Sequence, residues 1–276
     1  MLSEKDLLNV IHTSVTAGKA ILKIYGSNDF QIEKKSDASP LTTADKLSHE
    51  TIVKGLTTLT VDYPILSEEG QHLRFEDRKK WETFWLVDPL DGTKEFIKRN
   101  GEFTVNIALI HHKNPVFGVV YVPVSDTLYI GSEEVGSYKI EKVSEGKHPT
   151  FKSLTESGHR LPLHNSKDDT ITAVASRSHP TPETKKFLET LKKSYRKVNV
   201  TSAGSSLKLC LVAEGTADVY PRFAPTMEWD TAAGHAIVLG SGGNVIHSTS
   251  DRHLEYNKED LLNPWFIVWR KGQGAG

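Results

Sequence analysis

A short apolar run that ends on two carboxylates constrains this chain more than any other segment. Phe84, Trp85, Leu86 and Val87 are followed at once by Asp88, and Asp91 comes three residues later, ahead of Gly92 and Thr93. An apolar run bounded by turn-forming residues reads as a buried strand. Its end places Asp88 and Asp91 side by side, with Pro89 stiffening the link. A hard divalent cation such as Mg²⁺ takes oxygen ligands of this kind. A helix starting after Gly92 and Thr93 would aim backbone N–H groups at an anion. Metal, anion site and hydroxyl within one turn point to metal-dependent hydrolysis of a phosphate ester.

The rest of the chain permits that reading. Its 276 residues suffice for a large core, as one large or two smaller domains. With 25% charged and 37% hydrophobic residues it reads as an ordinary soluble globular protein. A formal net charge of −1 offers no bulk attraction to nucleic acid or anionic lipid. The chain has no long uncharged apolar run, so no spanning helix is expected. Met1 to Asp6 is charged at once and lacks a signal-peptide core. Cys210 is the single cysteine, which excludes an internal disulfide and fits a reducing cytoplasm.

Leu7, Val10, Ile11, Val15, Ile21, Leu22 and Tyr25 recur at helical spacing, which predicts a helix over 4–25 stopped by Gly26. Lys34 to Pro40 reads as loop. Thr42 or Thr43 can cap a second helix with Leu47, Ile52 and Leu56 on its apolar stripe. Strands are predicted at 64–66, 84–87, 103–110 and 116–122, the last pairing with 127–130 across a turn. The polar stretch 141–170 is the expected domain boundary. Beyond it the pattern predicts strands at 171–175 and 217–220, helices at 182–191, 205–214 and 230–239, and a frayed tail from 271.

Three separate places offer carboxylates at a strand end or helix start: Glu68 with Glu69, Asp88 with Asp91, and Asp230. Converging, they would form an oxygen-rich cage that only cations neutralise, because buried unpaired carboxylates are too costly to keep ionised. Taken singly, Glu68 and Glu69 also fit a solvated loop. Asp230 also fits a helix N-cap, and Asp45 a first-turn residue favoured by the helix dipole.

Trp85 to Thr93 resembles the D-P-(I/L)-D-G-(T/S) motif of the inositol monophosphatase superfamily. Trp229-Asp230-Thr231-Ala232-Ala233-Gly234 is similar to its W-D-x-A-(A/G)-G signature. Pro64 to Glu69, Trp85 to Ile110, and Gly204 to Lys208 continuing to Tyr220–Phe223 narrow the resemblance to the bacterial CysQ branch, the 3′(2′),5′-bisphosphate nucleotidases. It spans about Leu7 to Pro264. It implies an α/β layered (α+β) fold of the sugar-phosphatase kind. Two subdomains, 1–150 and 151–276, would hold the metal site between them. It also implies Glu68, Asp88, Asp91, Asp230 and the Leu90 carbonyl as ligands of two or three Mg²⁺ ions. Thr93 would orient the attacking water, with Asp45 accepting the Thr93 proton or helping to hold a third, looser metal, and Glu68 would be a further catalytic residue. Gly92 and Thr93 would cradle the phosphate, alongside Asp230 in substrate contact, and Ser205, Lys208 and Arg222 would bind the nucleotide. Ser176 to His179 is a weaker candidate for the adenosine side.

The implied reaction is removal of the 3′-phosphate of adenosine 3′,5′-bisphosphate, with 3′-phosphoadenylyl sulfate as a second substrate, Li⁺ inhibition and a role beside sulfate assimilation. A monomer or homodimer in the cytoplasm, compatible with peripheral attachment to the inner membrane face, is expected. The rival within the superfamily is an inositol or sugar phosphate phosphatase. The non-enzyme rival is a divalent-cation-binding module, but the position twelve residues into an EF-hand register is Arg99. Ser205-x-x-Lys208 matches the serine–lysine element of penicillin-binding enzymes, yet neither S-D-N nor K-T-G occurs. There is no P-loop and no H-E-x-x-H, and His111-His112 reads as a turn pair.

Overall fold

The computed structural model describes residues 2–27, 32–34, 40–164, 169–175 and 181–273, with backbone alone at 32–34 and 40. Helix α1 (Glu4–Tyr25) starts where Ser3 Oγ accepts from the Asp6 N–H and Asp6 accepts in return, and Gly26 follows its last residue. Strands β1 (Ile32–Lys34) and β2 (Pro40–Thr42) pair antiparallel, so the ends of the stretch expected as loop are strand; residues 35–39 lie outside the described set. Thr42 then caps α2 (Thr43–Leu56) through the same reciprocal arrangement, with Asp45 as its partner.

A seven-stranded sheet follows almost in chain order. Its strands are β3 (Ile65–Ser67), β4 (Thr83–Asp91), β5 (Thr104–His111), β6 (Asn114–Val122), β7 (Thr127–Ser132), β8 (Gly136–Glu141) and β9 (His159–Arg160). Only the β3–β4 pair is parallel. Short helices α3 (Phe75–Arg78), α4 (Thr93–Ile97) and α5 (Phe151–Glu156) sit in its connections. Strand β9 lies beyond residue 150 yet pairs with β8, so the first sheet extends to Arg160, within the polar stretch 141–170. The polar stretch contains a helix and a strand because Phe151, Leu154 and Leu161 are buried.

The second sheet has five strands in the order β11-β10-β12-β14-β13. They are β10 (Thr170–Val174), β11 (Lys197–Thr201), β12 (Val219–Arg222), β13 (Asn244–His247) and β14 (Phe266–Trp269), with helices α6 (Pro182–Ser194), α7 (Leu207–Glu214) and α8 (Glu228–Gly240) between them. Among the described residues, no helix is long and apolar enough to cross a membrane.

Strand β4 reads as an unbroken apolar run because both its faces are covered. Trp85 and Val87 pack with α1 and α2 residues such as Ile11, Ile21 and Ile52. Phe84 and Leu86 point the other way, onto Cys210, Ala233 and Ile237 of α7 and α8. Helix α8 is buried along most of its length. It comes so close to the sheet that a Cβ on Gly118 would lie 2.2 Å from the Ala233 carbonyl oxygen. No larger residue fits there without moving backbone.

Asp6 ties α1 to the segment after α2. Its buried carboxylate accepts from Thr60 N at 2.9 Å and Thr60 Oγ1 at 2.5 Å, as well as from Ser3. Burial pushes its pKa up, but the hydrogen bonds from Ser3 and Thr60 outweigh this and bring it from 3.8 down to about 2. A depressed carboxylate stabilises the fold above its unfolded pKa and loses that contribution as pH falls through its folded value. Asp6→Asn is therefore expected to lose about 1–3 kcal/mol at pH 7. The gap to wild type in urea unfolding should narrow below pH 3.8 and largely close near pH 2. A deficit unchanged across that range would contradict the assignment.

Candidate metal centre and substrate cleft

Residues three apart on a regular strand face opposite sides, so Asp88 and Asp91 would diverge on an unbroken β4. The strand is not regular there. Asp88 pairs with Asn106 and Asp91 with Thr104, which sets three steps of β4 against two of β5. The extra residue is a bulge, and it swings Asp91 back to the side of Asp88. Ser48 Oγ pins the bulge by donating to the Pro89 carbonyl at 2.7 Å, and Asp88 Oδ1 accepts from Leu90 N at 3.1 Å.

Asp230 arrives from the opposite half. It lies in the first turn of α8, where its Oδ2 accepts from Met227 N at 2.8 Å. One carboxylate oxygen from each of Asp88, Asp91 and Asp230 lies within 4.8 Å of the others. Glu68, just past β3, joins them through a side-chain hydrogen bond with Asp88. Burial, then the charges of Glu68, Asp91 and Asp230, push the Asp88 pKa well up. Burial and Asp91, with a smaller contribution from Glu68, raise Asp230 to about 8 against the opposing Met227 N–H and Arg222. Carboxylates this close cannot all ionise without positive charge among them. An all-oxygen donor set of this kind fits a hard divalent cation.

Thr93 opens α4, and its Oγ1 donates to Asp45 Oδ1 at 3.1 Å, with the Leu90 carbonyl oxygen farther off at 3.4 Å. Asp45 keeps its helix-capping role as well, since its Oδ2 accepts from Thr42 N and Oγ1 at 2.8 and 2.5 Å. Burial raises the Asp45 pKa and Glu69 raises it further, while the Thr42 and Thr93 hydrogen bonds pull it back. Asp45 thus fills the first-turn position expected of it and also accepts from the Thr93 hydroxyl. Gly92 has φ 90°, and a Cβ there would meet Glu102 O at 3.2 Å and Ser205 Cβ at 3.3 Å. This turn accepts only glycine without strain.

A cleft of about 700 Å³ runs between the halves, lined by Glu68, Asp91, Thr93, Lys208, Arg222 and Asp230 among others. Lys208, Tyr220 and Arg222 also line an adjoining cleft of about 380 Å³ on the side of the second sheet. Lys208 Nζ donates to the Ser205 carbonyl at 2.8 Å, and Arg222 Nη2 to the Pro225 carbonyl at 2.9 Å. Arg222 Nε is buried with no hydrogen-bond partner among the described residues. Ser205 sits at φ 54°, so the helix expected from 205 begins at Leu207 instead. Its hydroxyl donates to Asp91 Oδ2 at 2.7 Å. Ser176 to His179 lie outside the described residues.

The sequence reading assigns no role to Thr104, Asn106 or Ser206, which surround Asp91. One signal was present: Asn106 interrupts an apolar strand, and a buried amide needs partners.

The sequence pattern of the inositol monophosphatase family matches residues 4–270. The chain belongs to the inositol monophosphatase family. The family is dependent on divalent metal, and the acidic cluster is where this member can hold one. The 3′(2′),5′-bisphosphate nucleotidase CysQ of Escherichia coli K12 is 46% identical over 254 residues, covering 91% of this chain and 94% of that protein. CysQ from Bacteroides thetaiotaomicron superposes with a TM-score of 0.88 at 51% identity, covering 98% of each chain. The extragenic suppressor protein SuhB from Bartonella henselae shares the fold, with a TM-score of 0.70 at 21% identity over 96% of this chain and 94% of its own.

Proposed function

We propose that this protein is a Mg²⁺-dependent 3′(2′),5′-bisphosphate nucleotidase that converts adenosine 3′,5′-bisphosphate to AMP and phosphate. The observation that carries the reading is that Lys208 and Arg222 line the same cleft as the carboxylate cluster. One phosphate is placed at the carboxylates and a second between the two cations, which suits a bisphosphorylated nucleotide. A singly phosphorylated inositol leaves at least one cation without work. The identity to proteins named as such nucleotidases supports the same choice.

Glu68, Asp88, Asp91, Asp230 and the Leu90 carbonyl are the residues that would hold two or three Mg²⁺ ions. Bound there, the metal supplies Lewis acidity to the phosphate ester and its attacking water. The chain's own residues do the rest. Thr93 holds the water in line with the phosphorus, and Asp45 accepts the proton passed through the Thr93 hydroxyl. Gly92 lets the phosphate approach the backbone, and Ser205 contributes a hydroxyl at the cleft wall. Hydrolysis is direct, with no phosphoenzyme. The sulfated nucleotide 3′-phosphoadenylyl sulfate fits the same scheme, and Li⁺ competes for a site built for Mg²⁺. The lone, buried Cys210 suits a reducing cytoplasm, where clearing this by-product of sulfate assimilation is required.

Product identification tests the direction of cleavage. Phosphorus NMR of the quenched reaction should show free phosphate and 5′-AMP; accumulation of 3′-AMP would reverse the placement of the two phosphates. Lys208→Ala should raise KM for the nucleotide about tenfold, the loss of one charge-assisted contact. It should leave kcat/KM for p-nitrophenyl phosphate unchanged. Equal losses on both substrates would remove Lys208 from the nucleotide pocket.

A further inference from the structure

The carboxylates of the cluster come from two halves of the chain, so something must fix their separation. Ser206 occupies the place where this can be done. Its Oγ lies 2.7 Å from Asp91 Oδ2, on β4, and 2.7 Å from the carbonyl oxygen of Asp230, on α8. A hydroxyl has a single hydrogen and serves one of these acceptors at a time. Its position is therefore set from the other side, where Asn106 Nδ2 donates to Ser206 Oγ at 2.9 Å. The Asn106 amide is itself held in one orientation, because Thr104 Oγ1 donates to Asn106 Oδ1 at 2.9 Å. Turned this way, Asn106 presents its amino group towards the cluster, 3.5 Å from Asp91 Oδ2.

Thr104, Asn106 and Ser206 are all buried, at 0%, 1% and 2% exposure. A polar chain in such a place is costly unless every member is paired, and here each member is. Thr104 and Asn106 also stand directly opposite Asp91 and Asp88 across the β4–β5 ladder. Position, burial and hydrogen-bond direction thus agree.

We infer that Ser206, held by Asn106 and Thr104, is a positioning residue that sets the spacing between Asp91 and Asp230 and so tunes how tightly Mg²⁺ binds. The device rests on the Mg²⁺ reading of the cluster. It acts on the ligands, not on the nucleotide. Removing the hydroxyl leaves Asp91 with Ser205 and leaves α8 capped by Asp230, so the fold survives while the spacing relaxes. Loss of an outer partner of a metal ligand typically weakens metal affinity about 10–100-fold.

The test is titration calorimetry of Mg²⁺ into the full-length protein without substrate, on wild type, Ser206→Ala, Asn106→Ala and the double variant. The expected result is a Mg²⁺ Kd raised about tenfold in Ser206→Ala, with the metal-free melting temperature within a few degrees of wild type. Nucleotide KM at saturating Mg²⁺ should change less than twofold. Because both substitutions act through one hydroxyl, the double variant should bind Mg²⁺ no more weakly than the worse single variant. A Ser206→Ala Kd within twofold of wild type would overturn the device while leaving the metal site intact, and so would additive losses in the double variant. If Ser206→Ala does not fold, Asn106→Ala alone decides by the same measurement. Wild-type protein that binds no Mg²⁺ would overturn the metal reading and the device with it.

Discussion

Asp91→Asn is expected to abolish turnover and to leave the metal-free protein as stable as before or more so. The two halves of this expectation have one cause. Asp91 is surrounded by donors on one side, with Ser205 and Ser206 both 2.7 Å from its Oδ2, and by carboxylates on the other. The amide oxygen of asparagine can keep the serine contacts. Its amino group then replaces a repulsive charge with a donor facing Asp88 and Asp230, whose pKa values Asp91 helps to raise. The fold would lose a source of electrostatic strain and the proposed metal site a charged ligand. Because loss of a mere outer partner costs about 10–100-fold in metal affinity or activity, loss of the ligand itself should exceed that range. Phosphate release and differential scanning calorimetry in EDTA check the two halves separately. Wild-type rates would refute the cage, and a metal-free variant melting well below wild type would refute the repulsion.

Thr93→Ala is expected to reduce kcat about 100-fold or more, the lower end of what a positioned proton-transfer group contributes, with KM for the nucleotide altered little. Thr93 Oγ1 has its hydrogen directed at Asp45 Oδ1, which leaves its lone pairs free to take a proton from water. An interaction realised only during reaction appears in kcat rather than in KM. Thr93→Ser retains the hydroxyl and should retain most of the rate. Steady-state kinetics at saturating Mg²⁺ on the three proteins checks this. A rise in KM with unchanged kcat would make Thr93 a binding residue and remove the Asp45–Thr93 pair from the chemistry.

The parts of the site legible in sequence were those with a local signal. An apolar run stopped by Asp88 declares a buried strand ending on a carboxylate, and Thr42 or Thr43 ahead of an apolar stripe declares a helix start. What was not legible depends on partners far along the chain. The bulge that turns Asp91 to the side of Asp88 is visible only against β5. Ser205 was expected as the first residue of a helix running to Glu214. It is instead held at positive φ, where its hydroxyl meets Asp91 and Thr104, 114 and 101 residues away in the chain. Strands β8, β11 and β13 escaped for the opposite reason. Residues such as Lys139, Lys197, Asn199 and Asn244 blur the apolar pattern, and pairing to neighbouring strands, not intrinsic preference, makes them strand. Helix α8 starts two residues before the expected Asp230, since Met227, held by the Asp230 side chain, precedes its first turn.

The most direct test of the account is phosphate release from adenosine 3′,5′-bisphosphate and from inositol 1-phosphate, side by side, with Mg²⁺ and with EDTA. The cluster and the Lys208–Arg222 pair together predict no release in EDTA. With Mg²⁺ they predict a kcat/KM at least about tenfold higher for the nucleotide, the value of one charge-assisted phosphate contact. Equal or better hydrolysis of the inositol ester would contradict the nucleotide assignment, and release that persists in EDTA would contradict the metal-dependent site.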